Sequence, residues 1–220
     1  EILIDQGRVN VNGQTVGSQG MRVDPNVDIV CVDGERIATR ADVAVRMFNK
    51  PRGVVTTMRD EQGRPCVGDY LRDDAIGMFY VGRLDADTEG LLLLTNDGLL
   101  GHRLGHPSFA IAKTYLASVS GRVEPATIRL LKEGIVLDDG PAKCDAVRVR
   151  ERLATRTLVE LTIHEGRNRI VRRMFEQVGH PVQELARIAV GPLRLGNLRS
   201  GAMRDLTGRE LGQLYQSVGL

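Results

Sequence analysis

The segment VGRLDADTEGLLLLTNDG, residues 81–98, decides the fold prediction and holds the first candidate for a catalytic group. Its four consecutive leucines form an uninterrupted apolar run, which is typical of a strand buried on both faces. Asp85 lies just ahead of this run and follows Gly82, Arg83 and Leu84. A carboxylate beside an apolar pocket needs a cation or hydrogen bonds to remain ionised. We therefore expect a basic side chain from elsewhere in the chain to lie next to Asp85.

The other acidic residues of this segment have simpler interpretations. Asp87 and Glu89 fit a solvated loop, and Asp97 fits an Asp-Gly turn. The spacing of Asp85, Asp87, Glu89 and Gly90 imitates the first half of a calcium-binding EF-hand loop. In the second half, the positions that should supply ligands are occupied by Leu91, Leu93 and Asn96. Calcium is therefore disfavoured, and the sequence predicts no metal site.

Strands predominate from residue 43 onward and indicate an α+β domain. Few helices interrupt them, without the regular alternation of a doubly wound fold, so we expect a mixed, mainly antiparallel sheet. The predicted strands have the sequences VAVRMFN, GMFYVG, LLLLTND, KTYLASVSG, AVRVRER and TLVELTIHEG. Helices are predicted from Pro125 to Gly134, at 168–178, and after a Thr207–Glu210 capping box near the C-terminus.

Residues 1–40 form a separate small unit in this prediction. A short helix ends at Gly7, and brief strands follow that are broken by Asn-Gly and Asp-Gly turns. The polar stretch ATRAD, residues 38–42, divides this unit from a second domain at 43–220. The chain opens without a methionine in a pattern typical of a helix end, so we expect the small unit to be truncated at its N-terminus.

Arginines are concentrated in GRNRIVRRMFEQVG, residues 166–179. Helical spacing gives this segment an apolar face made of Ile170, Val171, Met174, Phe175 and Val178. The other face carries Arg169, Arg172, Arg173 and Glu176. Arg167 and Asn168 lie at the helix N-terminus, where backbone donors favour anions. The charged face is either a solvated surface or a contact for phosphate or carboxylate groups, and both interpretations stay open.

Tyr115 lies in the middle of a predicted strand and shares a face with Lys113. It is either a core aromatic residue with a satisfied hydroxyl group or a stacking platform for a nucleobase.

Composition limits the classes of protein to consider. The chain has 220 residues, 42% of them hydrophobic, and a formal net charge of +2, so it can bury a core. No apolar run is long enough for a membrane span or a signal peptide, and we expect a cytoplasmic protein. Three cysteines, far apart, support neither a disulfide framework nor a zinc knuckle.

Several long motifs, in the same order, resemble bacterial ribosomal RNA pseudouridine synthases of the RsuA/RluB group. Residues 49–71, NKPRGVVTTMRDEQGRPCVGDYL, are similar to the group's NKPxGxxxT…D…GRxTVxDLL, and residues 81–98 to its GRLDxxTxGLLLLTNDG. Residues 106–121, HPSFAIAKTYLASVSG, are similar to HPSxxxxKxYxVxVxG. Residues 164–195 are similar to EGxxxxVRRMFxxxGxxVxxLxRxxxGxxxL. Residues 1–40 resemble the small αL-type RNA-binding module that precedes the catalytic domain in this group.

The resemblance implies a pseudouridine synthase fold and the isomerisation of uridine to pseudouridine in ribosomal RNA. Asp85 is then the catalytic carboxylate, Tyr115 stacks on the flipped-out uridine, and Arg172 pairs with the aspartate. Their positions in or beside the matched motifs suggest RNA-backbone contacts for Lys50, Arg83, Arg103, Arg167, Arg169 and Arg173. The resemblance implies no cofactor and no metal. The expected partner is ribosomal RNA or a ribosomal assembly intermediate, with no membrane contact, and the enzyme is expected to act as a monomer.

The chain departs from the group's pattern in places and leaves alternatives open. Ile170 stands where the group often has glutamine or glutamate, and Cys66 where it usually has threonine. The form GRNRxVRRM of the arginine motif favours large-subunit ribosomal RNA as the substrate. The alternatives are a small-subunit pseudouridine synthase and a noncatalytic RNA-binding factor of ribosome assembly.

Overall fold

A mixed sheet organises the larger part of the computed structural model, which describes residues 1–24, 27–37, 43–71 and 77–220. The strands after residue 43 are β5 (Val45–Lys50), β6 (Phe79–Val81), β7 (Glu89–Thr95), β8 (Lys113–Ser120), β9 (Ile135–Leu137), β10 (Gly140–Ala142), β11 (Ala146–Arg152), β12 (Arg156–Ile163), β13 (Val182–Val190), β14 (Leu193–Arg194) and β15 (Met203–Asp205). Within the described residues, nine of them form one sheet in the order β11-β12-β8-β13-β7-β5-β15, with β14 beside β13 and β6 beside β7.

The sheet is mixed and mainly antiparallel, as predicted. The neighbours β13 and β7 run parallel, whereas the pairs β11–β12, β12–β8, β13–β8, β5–β7 and β15–β5 run antiparallel. The remaining strands β9 and β10 form a separate hairpin. The prediction of an α+β architecture is confirmed.

The four leucines lie in β7, between β13 and β5. Leu92 and Leu94 pack into the core cluster on one face of the sheet, and Leu91 and Leu93 pack into the cluster on the other face. Each is at most 1% exposed. The prediction of a strand buried on both faces is confirmed, because successive side chains of a strand point to opposite faces.

The three predicted helices are confirmed as α3 (Pro125–Glu133), α4 (Ile170–Gln177) and α5 (Gly208–Ser217). The predicted capping box of Thr207 and Glu210 begins α5. The helix α2 (Gly98–Gly105) was not predicted. The interpretation of Asp97 as part of an Asp-Gly turn is wrong, since its carboxylate accepts a hydrogen bond from Leu100 N at 3.0 Å and caps α2.

The N-terminal part contains α1 (Ile2–Asp5) and the strands β1 (Val9–Val11), β2 (Gln14–Thr15), β3 (Val30–Val32) and β4 (Glu35–Arg36). These strands form their own sheet in the order β2-β1-β3-β4. Its end contacts α5, where the Arg36 guanidinium lies 4.3 Å from the centre of the Tyr215 ring. The predicted boundary at 38–42 lies outside the described residues. Among the helices described, none is long and apolar enough to cross a membrane.

Candidate active site

Asp85 lies in the loop that joins β6 to β7, and buried contacts hold this loop in place. Thr56 Oγ1 donates a hydrogen bond to Leu84 O at 2.6 Å and accepts one from Leu84 N at 3.2 Å. Gly90, with a φ of +107°, packs so closely on β13 that a Cβ atom there would lie 2.3 Å from Arg187 O. The Asp85 side chain itself is 36% exposed. The fold thus presents an accessible carboxylate on a fixed support.

A cleft of about 700 Å³ opens beside Asp85. This volume falls within the range of roughly 300–1,000 Å³ that is usual for small-molecule sites. It is lined by residues 81–85, the end of α2, the start of β8, residues 164–171, and Leu185, Arg187 and Val190 of β13. The predicted site residues that share this lining are Asp85, Tyr115, Arg83, Arg167 and Arg169.

The arginine nearest to Asp85 is Arg169, and not Arg172 as predicted. Arg169 Nη1 lies 3.7 Å from Asp85 Oδ2, and Arg169 Nη2 lies 3.1 Å from Asp87 Oδ2. Arg169 precedes α4 with a left-handed φ of +48°, which is uncommon for a residue with a side chain. The guanidinium lies beside both carboxylates. The expectation of a basic side chain beside Asp85 is met by a different residue.

Arg172 pairs with Asp87 and joins three elements of the fold. Its Nη2 lies 3.3 Å from Asp87 Oδ2 and donates to Asp87 O at 3.0 Å, and its Nη1 donates to Val182 O at 3.3 Å. Only 12% of the Arg172 side chain is exposed, and burial lowers the pKa of the guanidinium. Arg172 therefore holds the backbone of the Asp85 loop against α4 and the start of β13.

The interpretation of Asp87 as a solvated loop residue is wrong. Burial opposes its ionisation, but the hydrogen bond from Arg169 and the charges of Arg172 and Arg169 lower the pKa of Asp87 below its ordinary value. A sequence pattern could not show this pairing, because Asp87 and its two arginines are more than 80 residues apart along the chain. Glu89, in contrast, is exposed at the start of β7.

Two of the predicted RNA-binding residues have structural contacts away from the cleft. The Lys50 side chain is wholly buried, and its Nζ donates to Pro51 O at 2.9 Å and to Val54 O at 2.7 Å. The prediction of an RNA contact for Lys50 is wrong for this conformation, since the ammonium group is out of reach of a phosphate. Arg103 Nη1 donates to the carbonyl oxygens of Val218 and Gly219, at 2.9 and 2.8 Å.

Arg167 and Arg173 also form ion pairs with carboxylates. Arg167 Nη1 lies 2.7 Å from Asp139 Oδ1, and Arg167 Nε lies 2.6 Å from Glu165 Oε2. Arg173 Nη1 lies 2.8 Å from Asp139 Oδ1. These pairs attach the β9–β10 turn to the arginine-rich segment. Arg83, in contrast, is exposed at the cleft and forms no ion pair within the described residues.

Tyr115 is 8% exposed and lines the cleft from β8. Its Cα partner on the adjacent strand β13 is Arg187, a second cleft residue that is only 4% exposed. The sequence analysis missed Arg187, although a single arginine within the apolar strand VQELARIAV is an unusual feature. It also left Lys113, which lines the same cleft, without a role.

In the described parts of the chain, no group of three His, Cys, Asp or Glu side chains could hold a metal ion.

Comparisons with known proteins assign the family. Residues 44–177 match the family model described as RNA pseudouridylate synthase. The whole chain is 51% identical to a Mycobacterium tuberculosis protein named as an uncharacterized RNA pseudouridine synthase, of which it covers 88%. It is 41% identical to the ribosomal large subunit pseudouridine synthase B of Bacillus subtilis, with 97% of this chain and 88% of that protein covered. A crystal structure of a pseudouridylate synthase matches with a TM-score of 0.72 and 32% identity, over 97% of this chain and 91% of the other.

The mixed sheet is thus shared with a pseudouridylate synthase of known structure. The chain belongs to the RNA pseudouridine synthase family.

Proposed function

We propose that the protein converts one or more specific uridines of ribosomal RNA to pseudouridine, with Asp85 as the catalytic carboxylate. The observation that carries this proposal is the Asp85 carboxylate, fixed at the edge of a nucleoside-sized cleft and facing a cation. Large-subunit ribosomal RNA is the proposed substrate, because relatives such as the Bacillus subtilis protein are named for the large subunit. The partner is then ribosomal RNA or an assembly intermediate, and the reaction takes place in the cytoplasm.

The target uridine must leave the RNA stack to enter this cleft, since its glycosidic bond is inaccessible within a helix. Tyr115 supplies a ring on which the uracil stacks. Asp85 then acts at the sugar or the base while the N1–C1′ bond breaks. The uracil turns, its C5 bonds to C1′, the C5 proton is removed, and N1 takes up a proton. The product has the same atoms as the substrate, so the reaction needs no net oxidant or reductant.

Arg169 and Arg172 have different parts in this proposal. Arg169 lies at the cleft and is shared between Asp85 and Asp87, so it faces the Asp85 carboxylate and can move towards an RNA phosphate when the substrate enters. Arg172 is no part of the cleft lining and positions the Asp85 loop from behind. Of the predicted RNA-backbone contacts, Arg83 and Arg169 have the most accessible positions beside Asp85.

The test is pseudouridine mapping on 23S and 16S ribosomal RNA transcripts incubated with the purified protein. We expect new pseudouridine in the 23S transcript with the wild type and none with Asp85→Asn. Glu89→Gln is the matched control, because Glu89 is an exposed carboxylate of the same segment outside the cleft lining. It should retain wild-type activity. Turnover by Asp85→Asn would refute the role of Asp85, and modification of the 16S transcript alone would refute the large-subunit assignment.

The contribution of Tyr115 can be separated into its ring and its hydroxyl group. Tyr115→Phe keeps the ring for stacking, and Tyr115→Leu removes it. If stacking is the main contribution, the second change should cost about 1–3 kcal/mol of substrate binding and the first should not. Equal binding by both variants and the wild type would contradict a stacking role.

A further inference from the structure

Two cations lie side by side on the floor of the cleft. Arg187 in β13 and Tyr115 in β8 are direct cross-strand partners, so their side chains lie on the same face of the sheet. Lys113 precedes Tyr115 by two residues and shares that face. All three line the cleft. Tyr115 is therefore bordered by a guanidinium and an ammonium group.

Neither cation has a carboxylate partner among the described residues. Arg187 Nε donates to Leu91 O at 2.8 Å, and Lys113 Nζ donates to Ile111 O at 3.0 Å. The four N–H groups on the terminal nitrogens of Arg187 have no acceptor within the described structure. Among the described residues, the side-chain atoms that are fully enclosed and lack a partner are Arg36 Nη1 and Arg172 Nε. The terminal nitrogens of Arg187 are not among them, so they are not fully enclosed. The terminal nitrogens of Arg187 therefore face the open space of the cleft.

Two neighbouring cations without a carboxylate partner are electrostatically unfavourable. Buried arginines are usually paired, since taking a charge out of water is unfavourable unless a partner offsets it. Arg187 is 4% exposed. Burial and the neighbouring charge of Arg187 also lower the pKa of Lys113, which shows that the two cations disfavour each other. Such a pair is stabilised when a negatively charged group enters the cleft.

We propose that Arg187 and Lys113 form an oxyanion subsite for the target nucleotide on the floor of the cleft. The oxyanion has two possible sources on the substrate. One is a phosphate of the target nucleotide. The other is uracil itself, because breaking the N1–C1′ bond leaves the electron pair with the base, and its charge spreads onto O2 and O4 until C5 bonds to C1′. The subsite deepens the proposed function and rests on it.

Arg187→Gln tests the subsite, because it removes the charge and keeps a hydrogen-bond donor. We expect it to reduce either the single-turnover rate of pseudouridine formation or the affinity for ribosomal RNA by at least about tenfold. A lower rate of pseudouridine formation when all of the RNA is bound to the protein would assign the oxyanion to uracil. Loss of affinity with a weaker salt dependence would assign it to a phosphate. Arg194→Gln is the matched control, because Arg194 is an exposed arginine on the adjacent strand β14, outside the cleft lining.

Thermal unfolding separates this role from a structural one. Gln keeps a side-chain N–H for Leu91 O and removes a charge that has no carboxylate partner. The unfolding temperature of Arg187→Gln should therefore be unchanged or higher, as expected for a residue that a site retains at the expense of stability. A lower unfolding temperature together with reduced activity would make Arg187 structural and overturn the proposal. Wild-type rate and affinity in Arg187→Gln would overturn it as well.

Ligand protection tests the subsite without RNA. The probes are inorganic phosphate and barbiturate, a pyrimidine that is anionic at neutral pH. We expect one of them to raise the unfolding temperature of the wild type and neither to raise that of Arg187→Gln. An equal response of both proteins would overturn the subsite. A wild type that shows this protection but modifies no ribosomal RNA would refute the proposed function alone.

Discussion

Lys50→Met should change how the stability of the protein depends on pH in the alkaline range. Lys50 is the one wholly buried lysine among the described residues. Burial lowers the pKa of its ammonium group from 10.5 to about 8, and nearby carboxylates offset this shift only in part. Lys50 thus carries a charge at neutral pH that the folded protein disfavours. Its removal should be visible in the free energy of unfolding.

The direction of the effect follows from the protons bound in each state. Between about pH 8 and pH 10.5, the unfolded chain keeps a proton on Lys50 that the folded protein has released, so the free energy of unfolding rises with pH. The whole gain is at most about 3.5 kcal/mol, at about 1.4 kcal/mol for each unit of pKa. Below pH 8 both states are protonated, and the cost of the buried charge is fully present. In Lys50→Met this contribution is absent.

The variant also leaves the carbonyl groups of Pro51 and Val54 without their donor, which costs about 1–3 kcal/mol for each carbonyl at any pH. The stability difference between wild type and Lys50→Met should therefore grow in favour of the wild type as the pH rises. Urea unfolding measured from about pH 7 to about pH 10 checks this. Lys132→Met, in an exposed lysine of α3, is the control and should show a constant difference. Parallel stability curves for wild type and Lys50→Met would refute the reasoning.

Other changes test the support of the Asp85 loop. Thr56→Val leaves the backbone N–H and C=O of Leu84 unpaired and should cost about 2–4 kcal/mol in urea unfolding, together with a lower rate of pseudouridine formation. Gly90→Ala places a Cβ atom against Arg187 O and should lower the unfolding temperature markedly, and an unchanged temperature would contradict the packing of β7 on β13. Asp87→Asn removes a carboxylate of lowered pKa, whose stabilising effect is present above its ordinary pKa and is lost as the pH falls through the folded value. The stability difference from wild type should therefore shrink on acidification, and a difference that grew would exclude the ion pairs of Asp87.

The elements that could be predicted are those whose pattern is local. The four leucines predict β7, since an apolar run of this length is typical of a central strand. The apolar stripe from Ile170 to Phe175 predicts α4, and its four buried residues confirm the face. The helix α2 was missed because its sequence is short and rich in glycine, and because an Asp-Gly pair more often marks a turn. Asp97 acts instead as a helix cap that also accepts a hydrogen bond from Tyr215 at 2.7 Å.

The pairing of charges could not be predicted from local pattern. Arg169 and Arg172 are close in sequence and both pair with Asp87, and the sequence does not show which of them also reaches Asp85. The burial of Lys50 could not be predicted from the sequence either, because lysines are usually exposed. Nothing in the NKP sequence shows that the ammonium group donates to two backbone carbonyl groups.

The distribution of charge in the cleft suits the proposed reaction at both ends of the bond that breaks. Asp85 provides a negative group at one side, where the sugar becomes electron-poor as N1 departs, and Arg187 with Lys113 provides positive groups on the floor beside Tyr115. Asp87 pairs with Arg172 and lies closer to Arg169 than Asp85 does. Within the described residues, Asp85 therefore has a single ion pair, at 3.7 Å, and its carboxylate stays available to the substrate. A tighter ion pair would block the Asp85 carboxylate from the substrate. The second carboxylate, Asp87, therefore explains how the proposed catalytic aspartate stays accessible beside two arginines.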